Sequence, residues 1–208
     1  NETVALTGAK ITTVDLVTSG TKSTLDGIDV AAATTVNLAA AVNLNVADNG
    51  LTTTGTTGTL TITGAGAVNL GTIDTGFTTL NAGGNSGGLT AAIGAGTELI
   101  LTGSTGNDTI TTCTTNSLAS TNKLAVDAGD GTDTLVIADA SDVNTAADAA
   151  RYTNFEKLKL SATQDVSLMG TGITDIEIAA STSKVYSKLN ATQLKNVTIS
   201  GNQASALT

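Results

Sequence analysis

The chain is built from short segments in which apolar and polar residues alternate, separated by stretches rich in Gly, Asn, Asp and Thr. Examples are Leu60-Thr61-Ile62, Leu124-Ala125-Val126 and Leu158-Lys159-Leu160. Alternation with a period of two turns one face of a strand inward. Several segments follow one another after about 8–11 residues, and most gaps lack the two-residue loops of β-hairpins. The pattern therefore favours parallel winding of many short strands.

Two strand-and-turn units give a rung of about 18–20 residues, which lies within the range of solenoid repeats. We predict an all-β fold, a right-handed parallel β-solenoid of the β-roll or β-helix type, with roughly 10 rungs at ~4.8 Å and a length of about 50 Å. The alternative is an up-and-down β-sandwich, which also has short strands and regular turns. The 208 residues include no Trp, two Tyr and two Phe, so Ala, Val, Leu and Ile must form the core in thin layers.

Two stretches match the nonapeptide G-G-x-G-x-D-x-U-x, in which U is a large apolar residue, with one replacement each. They are residues 103–111, where Ser104 replaces the second Gly, and residues 128–136, where Ala128 replaces the first Gly. The glycines of this pattern allow a tight turn that aims carbonyl oxygens inward. The Asp supplies a carboxylate, the apolar residue begins a strand, and stacked repeats bind Ca²⁺ between turns.

Two predicted strands, at about 109–112 and 123–127, separate Asp108 from Asp133. Two strands return the chain to the same side of the solenoid, so the two turns should stack one rung apart with both carboxylates in the same gap. Backbone carbonyls would complete an all-oxygen shell, which suits Ca²⁺. The predicted metal-binding residues are Gly103, Thr105, Gly106, Asp108, Asp127, Gly129, Asp130, Gly131 and Asp133.

The alternative is that these acids are ordinary solvated turn residues, because Asp and Gly are common in turns. Four carboxylates in neighbouring turns, with only Lys123 close in sequence, repel one another unless a cation bridges them. This repulsion favours the calcium hypothesis. Zn²⁺ is disfavoured because the chain has no His and one Cys.

Two regions depart from the repeat. Residues 81–90 resemble a third nonapeptide that has lost its Asp, so the turn keeps its glycines without the ligand. Residues 141–151 predict one helix that begins at Ser141 or Asp142, with Phe155 filling the junction that follows. The predicted inner face of this helix consists of Val143, Ala146, Ala147 and Ala150.

The helix suggests a division of the chain into residues 1–140, a β-solenoid with calcium-binding turns, and residues 141–208, a helix followed by further rungs; one continuous domain is the alternative. Charge divides similarly, since residues 1–150 carry −11 and residues 151–208 carry +2. This acidity argues against nucleic-acid binding. The chain has no apolar run of about 20 residues, so we expect no membrane span. Cys113, in a polar insertion at 111–123, has no nearby Lys, Arg or His to activate its thiol.

The nonapeptides, the lack of His, Trp and Pro, the single Cys, the acidity and the Thr/Gly/Ala bias resemble repeats-in-toxin (RTX) β-roll proteins. More narrowly, the chain is similar to surface-layer (S-layer) proteins of Gram-negative bacteria and to large exported adhesins of like composition. Residues 154–160 resemble the "Phe-Glu-x-Leu" strand start of such proteins. The resemblance implies type I export without a cleaved N-terminal signal, a location at the bacterial cell surface, folding on extracellular Ca²⁺ and calcium-dependent assembly. With only two good repeats, most rungs must rely on Thr, Val and Leu ladders.

We therefore expect a non-enzymatic, calcium-dependent structural protein that assembles with copies of itself, with cell-surface polysaccharide as a further candidate partner. An adhesin or extender module is the alternative, although binding pockets usually contain the aromatics that this chain lacks. Ice binding is suggested by Thr-x-Thr pairs such as Thr59/Thr61, but these pairs crowd one region. An enzyme is disfavoured because Arg151 is the single arginine, His is absent and no acidic–basic constellation stands out.

Overall fold

The computed structural model describes residues 3–46, 50–55, 58–94, 98–112, 123–179 and 184–200. In chain order the strands are β1 (Thr3–Ala5), β2 (Thr13–Thr18), β3 (Ser23–Thr24), β4 (Gly27–Asp29), β5 (Thr35–Ala40), β6 (Leu44–Asn45), β7 (Gly50–Thr52), β8 (Gly58–Gly64), β9 (Val68–Ile73), β10 (Phe77–Asn85), β11 (Leu89–Ile93), β12 (Ile100–Thr102), β13 (Thr109–Thr111), β14 (Ala125–Asp127), β15 (Thr134–Ile137), β16 (Tyr152–Thr153), β17 (Lys157–Leu160), β18 (Gln164–Asp165), β19 (Asp175–Ile178), β20 (Tyr186–Ser187) and β21 (Val197–Ile199). The helices of these residues are α1 (Ala146–Ala149) and two 3-10 helices, Val166–Met169 and Gln193–Lys195.

The strands form sheets in which every pairing of the described residues is parallel. A seven-stranded sheet, here called wall A, has the order β16-β14-β12-β10-β8-β5-β2, and a nine-stranded sheet, wall B, has the order β21-β19-β17-β15-β13-β11-β9-β6-β3. Two smaller sheets have the orders β1-β4-β7 and β18-β20. The fold is a right-handed parallel β-solenoid of about eight turns, as the sequence predicts.

Turn length varies more than the sequence pattern suggests. Leu158 pairs with Ile176, whereas Ile110 pairs with Leu135, so one turn takes about 18 to 25 residues. The expected rung of about 18–20 residues is therefore the lower limit, and the expected 10 turns exceed the eight or so observed. Long connections between the walls, such as the one that carries α1, account for the difference. About eight turns at ~4.8 Å make a rod of about 40 Å.

The core lies between the walls and consists of aliphatic side chains stacked turn upon turn. One column of wall B, at most 1 % exposed, comprises Ile110, Leu135, Leu158 and Ile176. Burial of each Leu or Ile stabilises the fold by roughly 2 kcal/mol, so repeated columns replace the missing aromatics. Phe77 is buried, and Phe155 is buried after α1, which agrees with its predicted role at that junction.

The predicted helix is present, but it is shorter and has a different cap. α1 begins after Thr145, whose side chain and that of Asp148 form a reciprocal capping box. Neither Ser141 nor Asp142 is the cap. The Asp139 carboxylate accepts hydrogen bonds from the Ser141 backbone N–H at 2.8 Å and from its hydroxyl at 2.7 Å, and such local bonds stabilise a turn in place of a helix start.

The later start of α1 also changes the face that is buried. Ala149 is the buried residue of α1, and Val143 is buried in the turn that precedes it. The other predicted face residues, Ala146, Ala147 and Ala150, are exposed. The predicted face was therefore wrong except for Val143.

Other sequence predictions fall outside what the structure tests. Cys113 lies outside the described residues. The division between residues 140 and 141 stays a prediction, although wall B continues from β15 to β17 across it.

No helix among the described residues is long and apolar enough to cross a membrane.

Candidate metal centre

The two nonapeptide turns stack one turn apart at one corner of the solenoid, between walls A and B. Thr109 pairs with Thr134, and the Thr134 N–H donates to the carbonyl of Asp108 at 2.9 Å. The strands that separate the turns are β13 and β14, as predicted. On the other side, the Thr105 N–H donates to the carbonyl of Asn85 at 2.8 Å, so the glycine-rich turn within residues 81–90 belongs to the same corner.

Two glycines of the second nonapeptide allow the turns to approach closely. Gly129 has φ of +89° and Gly131 has φ of +144°, a region that favours glycine. A Cβ at Gly129 would lie 2.6 Å from the carbonyl oxygen of Ser104, and one at Gly131 would lie 2.6 Å from that of Gly106. The pattern therefore needs glycine here for both conformation and space.

Asp108 is buried, and both of its carboxylate oxygens accept hydrogen bonds. Oδ1 accepts from the Leu89 N–H at 2.7 Å and from the Ser104 hydroxyl, and Oδ2 accepts from the Ser104 N–H at 2.6 Å. The Ser104 hydroxyl in turn accepts from the Gly106 N–H at 3.0 Å. The departure from glycine at position 104 thus adds a third donor to a carboxylate whose two oxygens also accept from backbone N–H groups.

Asp133 is also buried, with 0 % of its surface exposed, but it is less well satisfied. Its Oδ1 accepts from the Asp108 N–H at 2.7 Å. Its Oδ2 is buried and has no hydrogen-bond partner. Gly129, which stands where the first turn has Ser104, offers no hydroxyl, and its N–H donates to Asp127 instead, at 3.1 Å.

The same contact is repeated one turn further on. The Asp133 N–H donates to Oε2 of Glu156 at 2.8 Å. Asp108, Asp133 and Glu156, here called the carboxylate ladder, each bind the backbone N–H at the same register in the preceding turn. We did not predict Glu156 as a site residue. The signal that identifies it is an acid two residues before the buried apolar residue of a wall B strand, as in Glu156-Lys157-Leu158.

The expectation that Asp108 and Asp133 share one gap was wrong. Each carboxylate reaches back to the turn before its own, so the two lie in successive gaps. The cause is the unpaired backbone N–H at the start of each wall B strand, which each acid binds. Asp127 and Asp130 are exposed outside the ladder, and Asp127 Oδ1 also accepts from Nδ2 of Asn154 at 2.7 Å.

The remaining predicted ligands lie in the turns themselves. Gly103 is buried and Gly106 half-buried, whereas Thr105 is exposed and its hydroxyl donates to the carbonyl of Asn85 at 3.2 Å. Asn85 stands in the turn that has no Asp. Its Nδ2 donates to the carbonyls of Gly64 and Gly66, and its Oδ1 accepts from the N–H groups of Gly87 and Gly88. An amide can both donate and accept, so Asn85 closes its turn without a charge.

Burial and neighbouring charges shift the pKa of Asp133, the middle acid of the carboxylate ladder. The pKa of Asp133 is raised from 3.8 to about 6, chiefly by desolvation. The negative charges of Asp108, Glu156 and Asp130 contribute to this rise, and the hydrogen bond from the Asp108 N–H opposes it. The ion pairs of the described residues, Arg151–Asp148, Lys159–Glu177 and Lys188–Asp165, all lie elsewhere. No side-chain cation of that set therefore compensates the ladder.

These residues fit a calcium ion in part. Ca²⁺ takes six to eight oxygen ligands and accepts backbone carbonyls among them. The free Asp133 Oδ2 is the kind of atom that needs a cation or a proton, whereas both Asp108 oxygens already accept hydrogen bonds. Within the described part of the chain, no three acidic, His or Cys side chains converge as a ready metal site. Any ion here would depend on Asp133 and on turn carbonyls.

The fold and the corner define a class, a parallel β-solenoid in which two glycine-rich turns stack buried aspartates one turn apart. Comparison with protein-family models, with curated proteins and with solved structures finds no match to this chain. The functional argument therefore depends on the geometry of the described residues.

Proposed function

We propose that the chain is a calcium-dependent structural subunit that assembles with copies of itself at a bacterial cell surface. A single observation carries the calcium dependence, namely the buried Asp133 Oδ2 that has no hydrogen-bond partner. A buried polar atom without a partner costs about 1–3 kcal/mol, and more when it is charged. A cation bound through this oxygen removes that cost in the folded state only, which makes folding depend on the cation.

The choice of Ca²⁺ follows from the available donors. They are carboxylate and carbonyl oxygens, which suit a hard cation, and the chain contains no His. Asp130, exposed at the tip of the same turn, is close enough for its charge to raise the pKa of Asp133. In the proposed site, Asp133 Oδ2 and Asp130 supply negative charge, and carbonyls of Gly129 and Gly131 supply further oxygens.

The outer face of wall A suits contact between extended surfaces. The residues at one register position along it are Asp15, Asn37, Thr61, Asn81, Thr102, Asp127 and Thr153. The four residues between Asp15 and Asp127 are short and uncharged, so the middle of this row is flat. Flat polar walls of this kind are compatible with packing of copies side by side in a sheet.

Thermal unfolding with calcium and with chelator tests the site. With a dissociation constant near 0.1 mM, as in extracellular calcium modules, 10 mM Ca²⁺ stabilises the fold by about 2.7 kcal/mol. For a chain of this size the melting temperature should rise by about 5–10 °C. Asp133→Asn should abolish that rise. Asp26→Asn removes an acid that lies between β3 and β4, away from both nonapeptide turns, and should retain the rise.

Equal melting temperatures of the unsubstituted protein in Ca²⁺ and in chelator would overturn the calcium site. Electron microscopy tests assembly separately, since ordered sheets should form with Ca²⁺ and disappear on chelation. Dispersed single rods in both conditions, together with binding to purified surface polysaccharide, would instead indicate an adhesin or extender module.

A further inference from the structure

A polar groove of about 340 Å³ lies on the outer side of wall B and crosses its strands. One side of the groove is a row from three successive turns, Asn45, Asn69 and Thr90, which wall B holds at one register position. The other side is the corner before these strands, where Asn43 and Ala67 stand two residues ahead of the first two members of the row. The strands that form it, β6, β9 and β11, each have a paired strand on both sides.

The protein uses the amide groups of this groove only in part. Asn43 Oδ1 accepts from the Ala67 N–H at 2.9 Å, and Asn69 Oδ1 accepts from the Gly71 N–H at 3.1 Å. Within the described part of the chain, Nδ2 of both asparagines has no protein partner, and neither has any side-chain atom of the half-buried Asn45. The groove therefore offers hydrogen-bond donors, and at Asn45 also an acceptor, to a ligand.

The corresponding row of wall A is different, because its acids and amides bind one another. Asn37 Nδ2 donates to Oδ1 of Asp15 at 2.7 Å. At the other end of the row, Asn154 Nδ2 donates to Oδ1 of Asp127 at 2.7 Å. A ligand that binds through amide groups is therefore expected on wall B and not on wall A.

We propose that this groove binds an extended, neutral polysaccharide, with one sugar unit to each turn. A sugar hydroxyl both donates and accepts, as a carboxamide does, so neighbouring hydroxyls of one sugar pair with the two polar atoms of an Asn side chain. The turns repeat at ~4.8 Å, which is close to the advance of one hexose along an extended 1,4-linked chain. This binding site goes beyond the proposed function, and it shares no residue with the calcium site.

Spacing and charge select this class of ligand. An extended peptide advances ~3.3 Å per residue, so its groups would not stay in step with the turns. An acidic polysaccharide would be repelled by the net charge of −9, against which the groove sets Lys22 as the charged residue of its lining. The lining contains no aromatic side chain. Hydrogen bonds of modest net strength must then supply the affinity, so we expect a dissociation constant in the millimolar range.

Titration of the whole chain with neutral oligosaccharides, followed by NMR, tests the site. The probes are β-1,4-linked hexasaccharides of glucose, mannose and N-acetylglucosamine. At least one should bind and shift the amide signals of β6 and β9, equally in Ca²⁺ and in chelator. Its affinity should rise from the disaccharide to the tetrasaccharide and then change little, because the lining comes from four turns, those of β3, β6, β9 and β11.

A pair of matched variants locates the binding. Asn45→Leu removes two polar atoms that have no protein partner and keeps a side chain of similar size, so it should weaken binding about fivefold or more without unfolding the chain. Asn37→Leu makes the same change on β5 of wall A, in the same turn. This control should leave the dissociation constant within about twofold of the unsubstituted chain.

Failure of all three hexasaccharides to bind would overturn the proposal. Equal losses in the two variants would also overturn it, because the binding would then lie elsewhere, and so would preference for a galacturonic acid hexamer over every neutral probe. Sugar binding combined with equal melting temperatures in Ca²⁺ and in chelator would retain this site and reject the calcium site. The reverse combination would reject this site alone.

Discussion

The two nonapeptide turns have nearly the same backbone, yet they satisfy their aspartates differently. In the first, Ser104 and the N–H of Leu89 provide hydrogen bonds to both oxygens of Asp108. In the second, Gly129 replaces the serine and Asp133 Oδ2 is left without a partner. The backbone N–H at this position binds Asp108 Oδ2 in the first turn but Asp127 in the second, and this difference separates a closed structural turn from a turn that needs a proton or a cation. The comparison shows that a match to a ligand motif does not by itself distinguish ligands from structural acids.

The largest expected effect comes from a substitution that prevents the close approach of the two nonapeptide turns, and it measures how much that approach contributes to stability. Gly129→Ala should destabilise the fold by about 4 kcal/mol, because it combines a left-handed conformation with overpacking against Ser104. Gly20→Ala is the control, since φ at Gly20 is +88° and no atom lies within 4 Å of its added Cβ. That control should cost only about 1 kcal/mol. Chemical denaturation measures both, and equal losses would show that conformation alone matters.

The second prediction concerns pH. Because the folded-state pKa of Asp133 is raised to about 6 from 3.8, the folded protein retains this proton more strongly than the unfolded chain. In chelator, its contribution to stability is complete below about pH 4 and is lost as the pH rises through 6. The loss should be about 3 kcal/mol. Denaturation between pH 4 and 7 measures it, and Asp133→Asn should remove this component while Asp26→Asn retains it.

The third prediction tests what the Ser104 hydroxyl contributes to the first nonapeptide turn. Ser104→Ala removes the hydroxyl donor to Asp108 and should cost about 2 kcal/mol in chelator, as expected for a hydrogen bond to a charged group. Both carboxylate oxygens keep a backbone donor, the Leu89 N–H for Oδ1 and the N–H of residue 104 for Oδ2, so Ca²⁺ should not restore the loss. Calorimetric titration and melting in Ca²⁺ measure this. Thr105→Ala, in the exposed neighbour, serves as the control and should cost less, because its hydroxyl donates to a neutral carbonyl at 3.2 Å.

The smallest effect comes from the third acid of the carboxylate ladder. Glu156→Gln retains an oxygen that can accept from the Asp133 N–H but removes a charge that raises the pKa of Asp133. Stability at pH 7 in chelator should therefore rise, by less than about 1 kcal/mol. The midpoint of the pH dependence should move to a lower value. A lower stability at pH 7 would indicate that the geometry of the carboxylate, rather than its charge, controls this position.

Much of the fold can be read from local pattern. Alternation at Leu60-Thr61-Ile62 and Leu158-Lys159-Leu160 fixes which residues face inward, since a strand has only two faces. The strand count between Asp108 and Asp133 likewise predicts that the two turns stack. Turn length is less predictable because loops between walls tolerate insertion. The predicted start of α1 at Ser141 or Asp142 was wrong because the Asp139 carboxylate binds the Ser141 N–H, which stabilises a turn in place of a helix start. Helical periodicity does not reveal such a local hydrogen bond.

By itself, the sequence determined the solenoid, its aliphatic core and the corner where the glycine-rich turns meet. These follow from residue type and spacing, which act through local conformation and through the two-residue period of a strand. Only the tertiary structure decided what each acid does. The direction in which Asp108 and Asp133 point depends on backbone N–H groups of the preceding turn, about 20 residues away in sequence. Whether a carboxylate is satisfied is therefore a property of the stack, and at this corner it depends on Ser104 in one turn and Gly129 in the next.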